Sequence, residues 1–320
     1  MVYDTYLQGN RDLTHCPPHD FNDILREKIM PVAPKGMHNI FLADGSTTNA
    51  NEIAITNAMM HYAKKHRKDF SSLQVLGFEH GSHGQSVATL SCSDKAVNRH
   101  NLPTYNWPIA PWPKLKYPLS AHEEANNAEE SRCLEETRKL LEQAKANGTD
   151  VAAVIIEPVS SYKTMQATPM FFKQLRKMTK ELGVTFIVDE TRTGFGQTGK
   201  MWAHEHWYLQ DYNGGVPDIV TFGGKAGISG MFSTREHRVD STCSAFTQVV
   251  DMVKLINYGI VWKEIQHKQL LGMVNDTSTF LKIELGHVAR DRGDNLVSNI
   301  RGSGTFLGFD VENEKSADSI

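Results

Sequence analysis

The stretch VAAVIIEP, residues 151–158, contains six apolar residues in a row, followed by Glu157 and Pro158. A continuous apolar run of this length is typical of a strand that is buried on both faces, whereas a half-exposed strand alternates. Further strand-like runs occupy residues 73–78 (LQVLGF), 184–188 (VTFIV) and 218–222 (DIVTF). The sequence therefore predicts a sheet that is covered from both sides.

Segments with helical character separate these strands. They comprise residues 21–30, 51–68, 129–146, 171–182 and the region from 249 to about 290. Strands separated by helices of this length pair in parallel through crossover connections. We therefore predict an α/β fold with a mainly parallel sheet and helices on both faces. A last strand is expected at residues 304–309, and the proline- and aromatic-rich residues 103–118 are expected to form a long ordered loop.

Composition excludes several classes of function. The 320 residues are 40% hydrophobic and 22% charged, which is ordinary for a soluble globular protein. The formal net charge of −3 gives no electrostatic reason to expect nucleic acid as a partner. No apolar run approaches the ~18 residues of a membrane span. The four cysteines and fourteen histidines show no ligand spacing typical of a metal site, so no metal is expected.

Polar residues follow three of the predicted strands. Glu157 follows the first, Asp189 and Glu190 follow the second, and Lys225 follows the third after Gly223-Gly224. Ligands of parallel sheets bind beyond the carboxyl ends of the strands. Two acids and a lysine at such ends suit a cofactor that needs a Schiff-base lysine and an acid to keep a pyridine nitrogen protonated. Acids also end strands as turn formers, and position alone leaves both interpretations open.

Long segments of the chain resemble the class III pyridoxal-phosphate-dependent aminotransferase family, and within it the eukaryotic 4-aminobutyrate aminotransferases. The resemblance rests on the segments VAPKGM (32–37), NWPIAPWPKLKYPL (106–119), IIEP (155–158), VDETRTGFGQTGKMWAHEHW (188–207) and RGSGTFLGFD (301–310). It runs in the family's order from about Leu13 to Asp310. The fold type I architecture of that family is consistent with the predicted sheet.

The resemblance also implies a domain organisation. Residues 1–40 correspond to an N-terminal segment, residues 41–255 to the large α/β domain, and residues 256–320 to an interdomain helix and the start of a truncated small domain. Most of the small C-terminal domain is expected to be missing. The family forms homodimers with sites at the subunit interface, and eukaryotic members work in mitochondria, with the cytosol as the alternative location.

Some working residues of the family are kept. The resemblance gives Asp189 as the acid that pairs with the pyridine nitrogen and Glu157 as the glutamate of the EP motif. Thr247 corresponds to the threonine that reaches the cofactor phosphate from the neighbouring subunit. Thr47 and Thr48 align with the phosphate cradle at the start of a helix, where free N–H groups favour an anion.

The Schiff-base lysine is displaced. The family carries it six residues after the leading Asp of the strand, which here is Gly224, and Lys225 stands one position later. Neighbouring side chains in an extended chain point to opposite sides. The shift therefore aims the amine away from the cofactor unless Gly223 and Gly224 buckle, which glycine permits.

Further contacts of the family are replaced. In the segment that contacts the cofactor, His83 is kept, but Ser82 stands where an aromatic residue stacks on the ring. Gln85 replaces the arginine that clamps the substrate carboxylate, and a neutral amide cannot replace a charge-assisted bidentate pair. Arg192 replaces a glutamine that contacts the phenolic oxygen of the cofactor.

The sequence leaves three functional hypotheses open. The first is a catalytically degenerate aminotransferase-like protein, reused as a structural or assembly subunit, as a homodimer or paralogue heterodimer, with other subunits of a mitochondrial assembly as further partners. The second is an active enzyme that moves an amino group from an ω-amino acid to a 2-oxo acid. The third is a phosphate or cofactor binder without turnover. No iron–sulfur cluster is expected, because the cluster cysteines of some members align with Ser46 and Asn49.

Overall fold

A central seven-stranded sheet organises the molecule. The computed structural model describes residues 23, 25–43, 46–211, 214–239, 252–292 and 297–311. The strands are β1 (Asn39–Ala43), β2 (Leu73–Phe78), β3 (Ile109–Ala110), β4 (Asp150–Ile156), β5 (Thr185–Asp189), β6 (Ile219–Phe222) and β7 (Ser229–Ser233). Their order is β1-β7-β6-β5-β4-β2-β3. Only β7 runs antiparallel to its neighbours in this sheet, which confirms the predicted mainly parallel arrangement.

The described helices correspond to predicted ones, except for the short helix at Val87–Ser91, which was not predicted. They are α1 (Thr47–His66), α2 (Val87–Ser91), α3 (Glu123–Ala146), α4 (Pro169–Leu182), α5 (Met252–His267) and α6 (Leu270–Arg292). α1 and α3 begin before the predicted positions 51 and 129, because their first turns are polar and carry no apolar periodicity. In the predicted helix at 21–30, the described residues form a π-helical turn, Leu25–Ile29, followed by a 3-10 turn, Met30–Val32.

The apolar run at 151–156 is explained by the two layers that cover the sheet. Val154 and Ile156 of β4 lie in a core shared with α3 and α4, whereas Ala153 and Ile155 lie in a second core shared with α1. All four side chains are fully buried. Both faces of β4 therefore exclude water, and every position along it is apolar.

A buried ion pair holds together the amino-terminal ends of β5 and β6. Arg176 of α4 donates to both carboxylate oxygens of Asp218 at 2.7 Å, and the Phe186 backbone N–H donates to the same carboxylate at 2.8 Å. This bidentate contact ties α4 to two adjacent strands. It holds the register that places Asp189 beside Thr221 at the opposite, carboxyl ends.

A separate hairpin closes the described chain. Strands β8 (Ser298–Ser303) and β9 (Phe306–Asp310) pair antiparallel. The predicted strand at 304–309 is correct for β9 but wrong at its start, because Gly304 adopts a left-handed φ of 61° between the two strands. No helix within the described ranges is both long and apolar enough to cross a membrane.

Candidate active site

The site lies where the carboxyl ends of β2, β4, β5 and β6 meet the first turn of α1. Two glycines let the loops approach this turn closely. A Cβ on Gly84, after β2, would lie 2.7 Å from Thr48 Oγ1, and a Cβ on Gly223, after β6, would lie 2.7 Å from Thr47 Cγ2. The polar residues predicted at three strand ends are therefore gathered at one edge of the sheet, as the topological rule requires.

Asp189 is the centre of this site. Its side chain is fully buried at the end of β5. Oδ2 accepts hydrogen bonds from Asn51 Nδ2 at 2.7 Å and from His83 Nδ1 at 2.8 Å. Oδ1 accepts from the Thr191 backbone N–H at 2.9 Å and from Thr191 Oγ1 at 2.6 Å. A carboxylate offers about four lone-pair positions, so the chain itself fills them all.

The donors around Asp189 come from distant elements. Asn51 lies in α1, and its amide also donates to the His83 carbonyl oxygen at 2.8 Å. Thr221, at the end of β6, donates to Asn51 Oδ1 at 2.7 Å and so orients the amide. Asn51, Thr191 and Thr221 were not predicted as site residues. The available signals were the position of Asn51 shortly after the cradle residues Thr47 and Thr48, and the hydroxyls beside two strand ends.

Glu157 is the second buried acid of the site. Its Oε2 accepts from the backbone N–H of Ser82 at 3.0 Å and of Ser161 at 3.2 Å, and Ser161 Oγ donates to Oε1. His83 Nε2 lies on the side of Glu157, since a Cβ on Gly81 would be 3.2 Å from His83 Nε2 and 3.9 Å from Glu157 Oε2. His83 Nε2 is buried and has no hydrogen-bond partner in the described part of the chain.

The ionisable groups of this cluster shift one another's pKa values. Burial opposes protonation of His83, but the hydrogen bond and charge of Asp189 outweigh it and raise the pKa of His83. Burial acts against ionised Asp189 as well, yet His83 and Thr191 lower the pKa of that acid. Burial raises the pKa of Glu157 to about 7, with His83 opposing and Asp189 adding to the shift. Both shifts favour an ion pair between Asp189 and His83, and the pKa of the neighbouring Glu157 lies near neutral pH.

Lys225 lies in a 3-10 turn, Gly224–Ala226, directly after β6. Gly223 is extended, with φ of 174°, whereas Gly224 is left-handed, with φ of 66°. A left-handed residue interrupts the alternation of a strand, so the buckle that the sequence allowed is present. Lys225 is exposed, partial burial lowers its pKa, and its amine has no ion-pair partner among the described residues. A side chain at Gly224 itself would be crowded, because a Cβ there lies 3.1 Å from the Thr191 carbonyl oxygen.

The remaining predicted residues lie at the rim of the site or outside the described residues. Ser82 is partly buried and contacts Glu157 through its backbone. Gln85 is exposed, and its backbone N–H lies 3.4 Å from Thr48 Oγ1. Arg192 is exposed as well. Thr247 lies outside the described residues. No group of three or more His, Cys, Asp or Glu side chains within the described ranges could hold a metal ion.

Comparison with known proteins identifies the family. The family model "Aminotransferase class-III" matches residues 7–320. The chain belongs to the class III aminotransferases. The 4-aminobutyrate aminotransferase of Dictyostelium discoideum is 37% identical to it over 95% of this chain and 64% of its own length. The mitochondrial 4-aminobutyrate aminotransferase of Sus scrofa is 34% identical over 93% of this chain and 63% of its own length. This chain therefore covers less than two thirds of the length of each of these two relatives.

Solved aminotransferase structures share the fold. The lysine aminotransferase from M. tuberculosis superposes with a TM-score of 0.82 at 23% identity, covering 95% of this chain and 70% of its own. A Bacillus anthracis aminotransferase superposes with a TM-score of 0.80 at 20% identity, covering 99% of this chain and 70% of its own. These matches confirm the fold type I architecture that the resemblance implied.

Pyridoxal phosphate, the cofactor of class III aminotransferases, fits the described residues poorly. Its ring nitrogen needs a free acceptor on Asp189, and all four lone-pair positions there already face donors of the chain. Its ring needs an apolar face to stack on, and Ser82 offers a hydroxyl. Among the described parts of the site, the first turn of α1 does offer backbone N–H groups suited to the phosphate of the cofactor.

Proposed function

We propose that this chain is a catalytically degenerate class III aminotransferase relative that serves as a structural or assembly subunit. The observation that carries the proposal is the saturation of Asp189 by four close donors of the same chain, with Thr221 Oγ1 as a fifth donor at 3.4 Å from Oδ1. In a working site this carboxylate must keep the ring nitrogen protonated, since the protonated ring is the electron-withdrawing form. Here a ring nitrogen would first have to displace Asn51, His83 or Thr191.

Two replacements at the rim support the same proposal. Gln85 stands where the family clamps the substrate carboxylate with an arginine, and its neutral amide lacks the charge of that pair. Ser82 stands where an aromatic ring would cover the cofactor. Because these losses act on one reaction, their effects need not add, but each lowers the stability of the bound reactants.

A spectroscopic experiment tests this proposal. The purified protein is mixed with pyridoxal phosphate, its absorbance spectrum is recorded, and borohydride is added before peptide mapping. We expect no saturable long-wavelength band and no reduced adduct on Lys225. The variant Lys225→Ala is the control, because pyridoxal phosphate also labels exposed lysines at random. A stoichiometric adduct on Lys225 that is absent from this variant would contradict degeneracy.

An active ω-amino-acid aminotransferase is the second candidate, and the left-handed φ of Gly224 favours it. Because this residue breaks the strand alternation, the one-position shift of Lys225 does not by itself direct the amine away from Asp189. On this hypothesis the parent transfers an amino group from 4-aminobutyrate to a 2-oxo acid. Lys225→Ala then abolishes the transfer, while Lys177→Ala, an exposed lysine on α4, leaves it unchanged. Transfer that survives in Lys225→Ala would exclude this candidate.

The third candidate is a phosphate or cofactor binder without turnover, and the variant Asp189→Ala distinguishes it from the other two. Binding of pyridoxal phosphate without transfer, lost on Asp189→Ala, would support it. Equilibrium binding that Asp189→Ala leaves unchanged would argue against it.

The proposed location and assembly follow the relatives. Five of the similar 4-aminobutyrate aminotransferases are named as mitochondrial proteins, so we propose a mitochondrial location with the cytosol as the alternative. We further propose a homodimer, or a heterodimer with a paralogue, that joins other subunits. Native electrophoresis of mitochondrial extracts tests this assembly. Migration at the mass of the free chain or of a simple dimer would contradict a role in a larger complex.

A further inference from the structure

A cleft of about 500 Å³ opens beside the candidate active site, between the loops after β2, β3 and β4 and the β8–β9 hairpin. We call it the hairpin cleft. His80, Lys114, Tyr117, Lys163 and Arg301 line it together with the hairpin residue Asp310. Its volume lies within the roughly 300–1,000 Å³ typical of small-molecule pockets. Like the Asp189 site it lies beyond the carboxyl ends of parallel strands, where ligands bind in this class of fold.

The charges of the hairpin cleft are unbalanced. Asp310 is its only carboxylate among the described residues, and Arg301 Nη1 pairs with it at 2.8 Å. Lys114 and Lys163 are exposed and have no ion-pair partner within the described ranges. Both ammonium groups act on His80, whose pKa is lowered first by burial and then by Lys163, with Lys114 adding a smaller effect against Asp94 and Glu79. The cleft therefore carries a net positive charge.

Directional donors supplement this charge. The Arg301 side chain is 12% exposed, and its Nε is buried without an acceptor among the described residues. His80 Nδ1 lies 3.3 Å from Asp94 Oδ2 but lacks the alignment of a hydrogen bond. An anionic oxygen in the cleft would supply an acceptor and a counter-charge for the exposed ammonium groups of Lys114 and Lys163.

The backbone holds these groups in place. His80, Thr164 and Asn299 adopt left-handed φ values of 61°, 51° and 50° around the cleft. Such conformations are uncommon for residues other than glycine, and they concentrate at functional sites. The hairpin is fixed across the cleft because Arg301 Nη2 donates to the Lys163 carbonyl oxygen at 3.0 Å. A Cβ on Gly308 would lie 2.8 Å from the Thr164 Cβ, so the hairpin backbone packs directly on this loop.

We propose that the hairpin cleft binds a small organic dianion, a dicarboxylate or a phosphate monoester, with Lys114 and Lys163 as its counter-charges. The ammonium groups of Lys114 and Lys163, which have no ion-pair partner among the described residues, match two negative charges on either a dicarboxylate or a phosphate group. This site is separate from Asp189, and anion binding in it does not depend on whether pyridoxal phosphate binds at Asp189.

Calorimetric titration of the purified protein at low ionic strength tests the proposal, with succinate and inorganic phosphate as separate probes. We expect saturable binding of at least one probe, and the probe that binds identifies the anion class. Lys163→Gln and Lys114→Gln should each weaken it roughly tenfold, the range of a charge-assisted contact. Lys177→Gln, which removes an exposed lysine outside the cleft, should leave binding unchanged. Added salt should weaken the binding, because the lysines are exposed.

Several outcomes would overturn the proposal. One is the absence of saturable binding of both probes. Another is binding that neither Lys163→Gln nor Lys114→Gln weakens, which would place the anion elsewhere, for example at the first turn of α1. Equal weakening by Lys177→Gln would show a general charge effect. The lysine variants sit at the surface, and matching melting temperatures of the unliganded proteins establish that they are folded.

Discussion

The Asp189 site and the hairpin cleft lie at the same edge of one sheet, yet their polar groups are balanced in opposite ways. Around Asp189 every acceptor position faces a donor of the chain, and the side chain is fully buried. In the hairpin cleft two lysines lack an ion-pair partner among the described residues, and a buried guanidinium N–H lacks an acceptor there. A saturated polar site contributes to folding and resists a ligand, whereas an unsaturated one gains from a ligand.

Removing one carboxylate from each region tests this difference with the largest expected effect. Asp189→Asn leaves the donors of His83 and Thr191 facing an amide, and breaking such a buried pair costs about 3–5 kcal/mol of unfolding free energy. Asp310→Asn removes a carboxylate that is 48% exposed, and exposed pairs contribute at most about 1 kcal/mol. Urea denaturation measures both. Equal losses would show that Asp189 is not the saturated centre of its site.

The pH dependence of the unfolding free energy tests the raised pKa of Glu157, the second buried acid of the site. The folded pKa of Glu157, about 7, lies above its ordinary value of 4.5, so the folded state binds this proton more tightly. The resulting stability is full below pH 4.5 and is lost as the pH rises through 7, a change of order 3 kcal/mol. The raised pKa of His83 acts in the same direction, whereas the lowered pKa of Asp189 acts only at lower pH.

Glu157→Gln keeps the acceptor for the Ser82 and Ser161 donors but cannot titrate. Its stability should therefore change much less between pH 5 and pH 8, where we would measure urea denaturation of both proteins. An equally steep curve for the variant would assign the pH dependence to other groups.

The turn that contains Lys225 has a matched pair of glycines, one on each side of the lysine. Gly224 and Gly227 have φ values of 66° and 70°, so a Cβ at either position costs about 1–2 kcal/mol. Gly227 has open space around it, whereas Gly224 faces the Thr191 carbonyl oxygen at 3.1 Å. We expect Gly224→Ala to lose a few tenths of a kcal/mol more unfolding free energy than Gly227→Ala, because the Thr191 carbonyl must shift to make room for the Cβ. Thermal denaturation of both variants measures this difference. Equal melting temperatures would show that the turn relaxes freely.

The sequence predicted the sheet and its polar strand ends but not the saturation of the site. Continuous apolar runs and helix spacing are local signals, so β2, β4, β5 and β6 were found within about a residue. The partners of Asp189 are not local, since Asn51 and His83 lie 138 and 106 residues away along the chain. Whether a carboxylate keeps a free lone pair depends on the folded positions of all its neighbours. The φ of Gly224 was likewise open, because glycine alone permits either course of the chain.

The hydroxyl of Thr191 provides the finest test, because a single hydrogen bond can be removed at almost constant shape. Thr191→Val deletes the Oγ1 donor to Asp189 Oδ1 and keeps the backbone N–H donor. The lost bond to a buried acid should cost about 1–2 kcal/mol of unfolding free energy. The same change frees one acceptor position, so pyridoxal phosphate should bind the variant more tightly than the parent in equilibrium dialysis. Thr193→Val is the matched control, because its equally buried hydroxyl donates to Glu190 instead. That control should lose similar stability without any gain in cofactor binding, and an equal gain in both variants would break the link between the saturation of Asp189 and the exclusion of the cofactor.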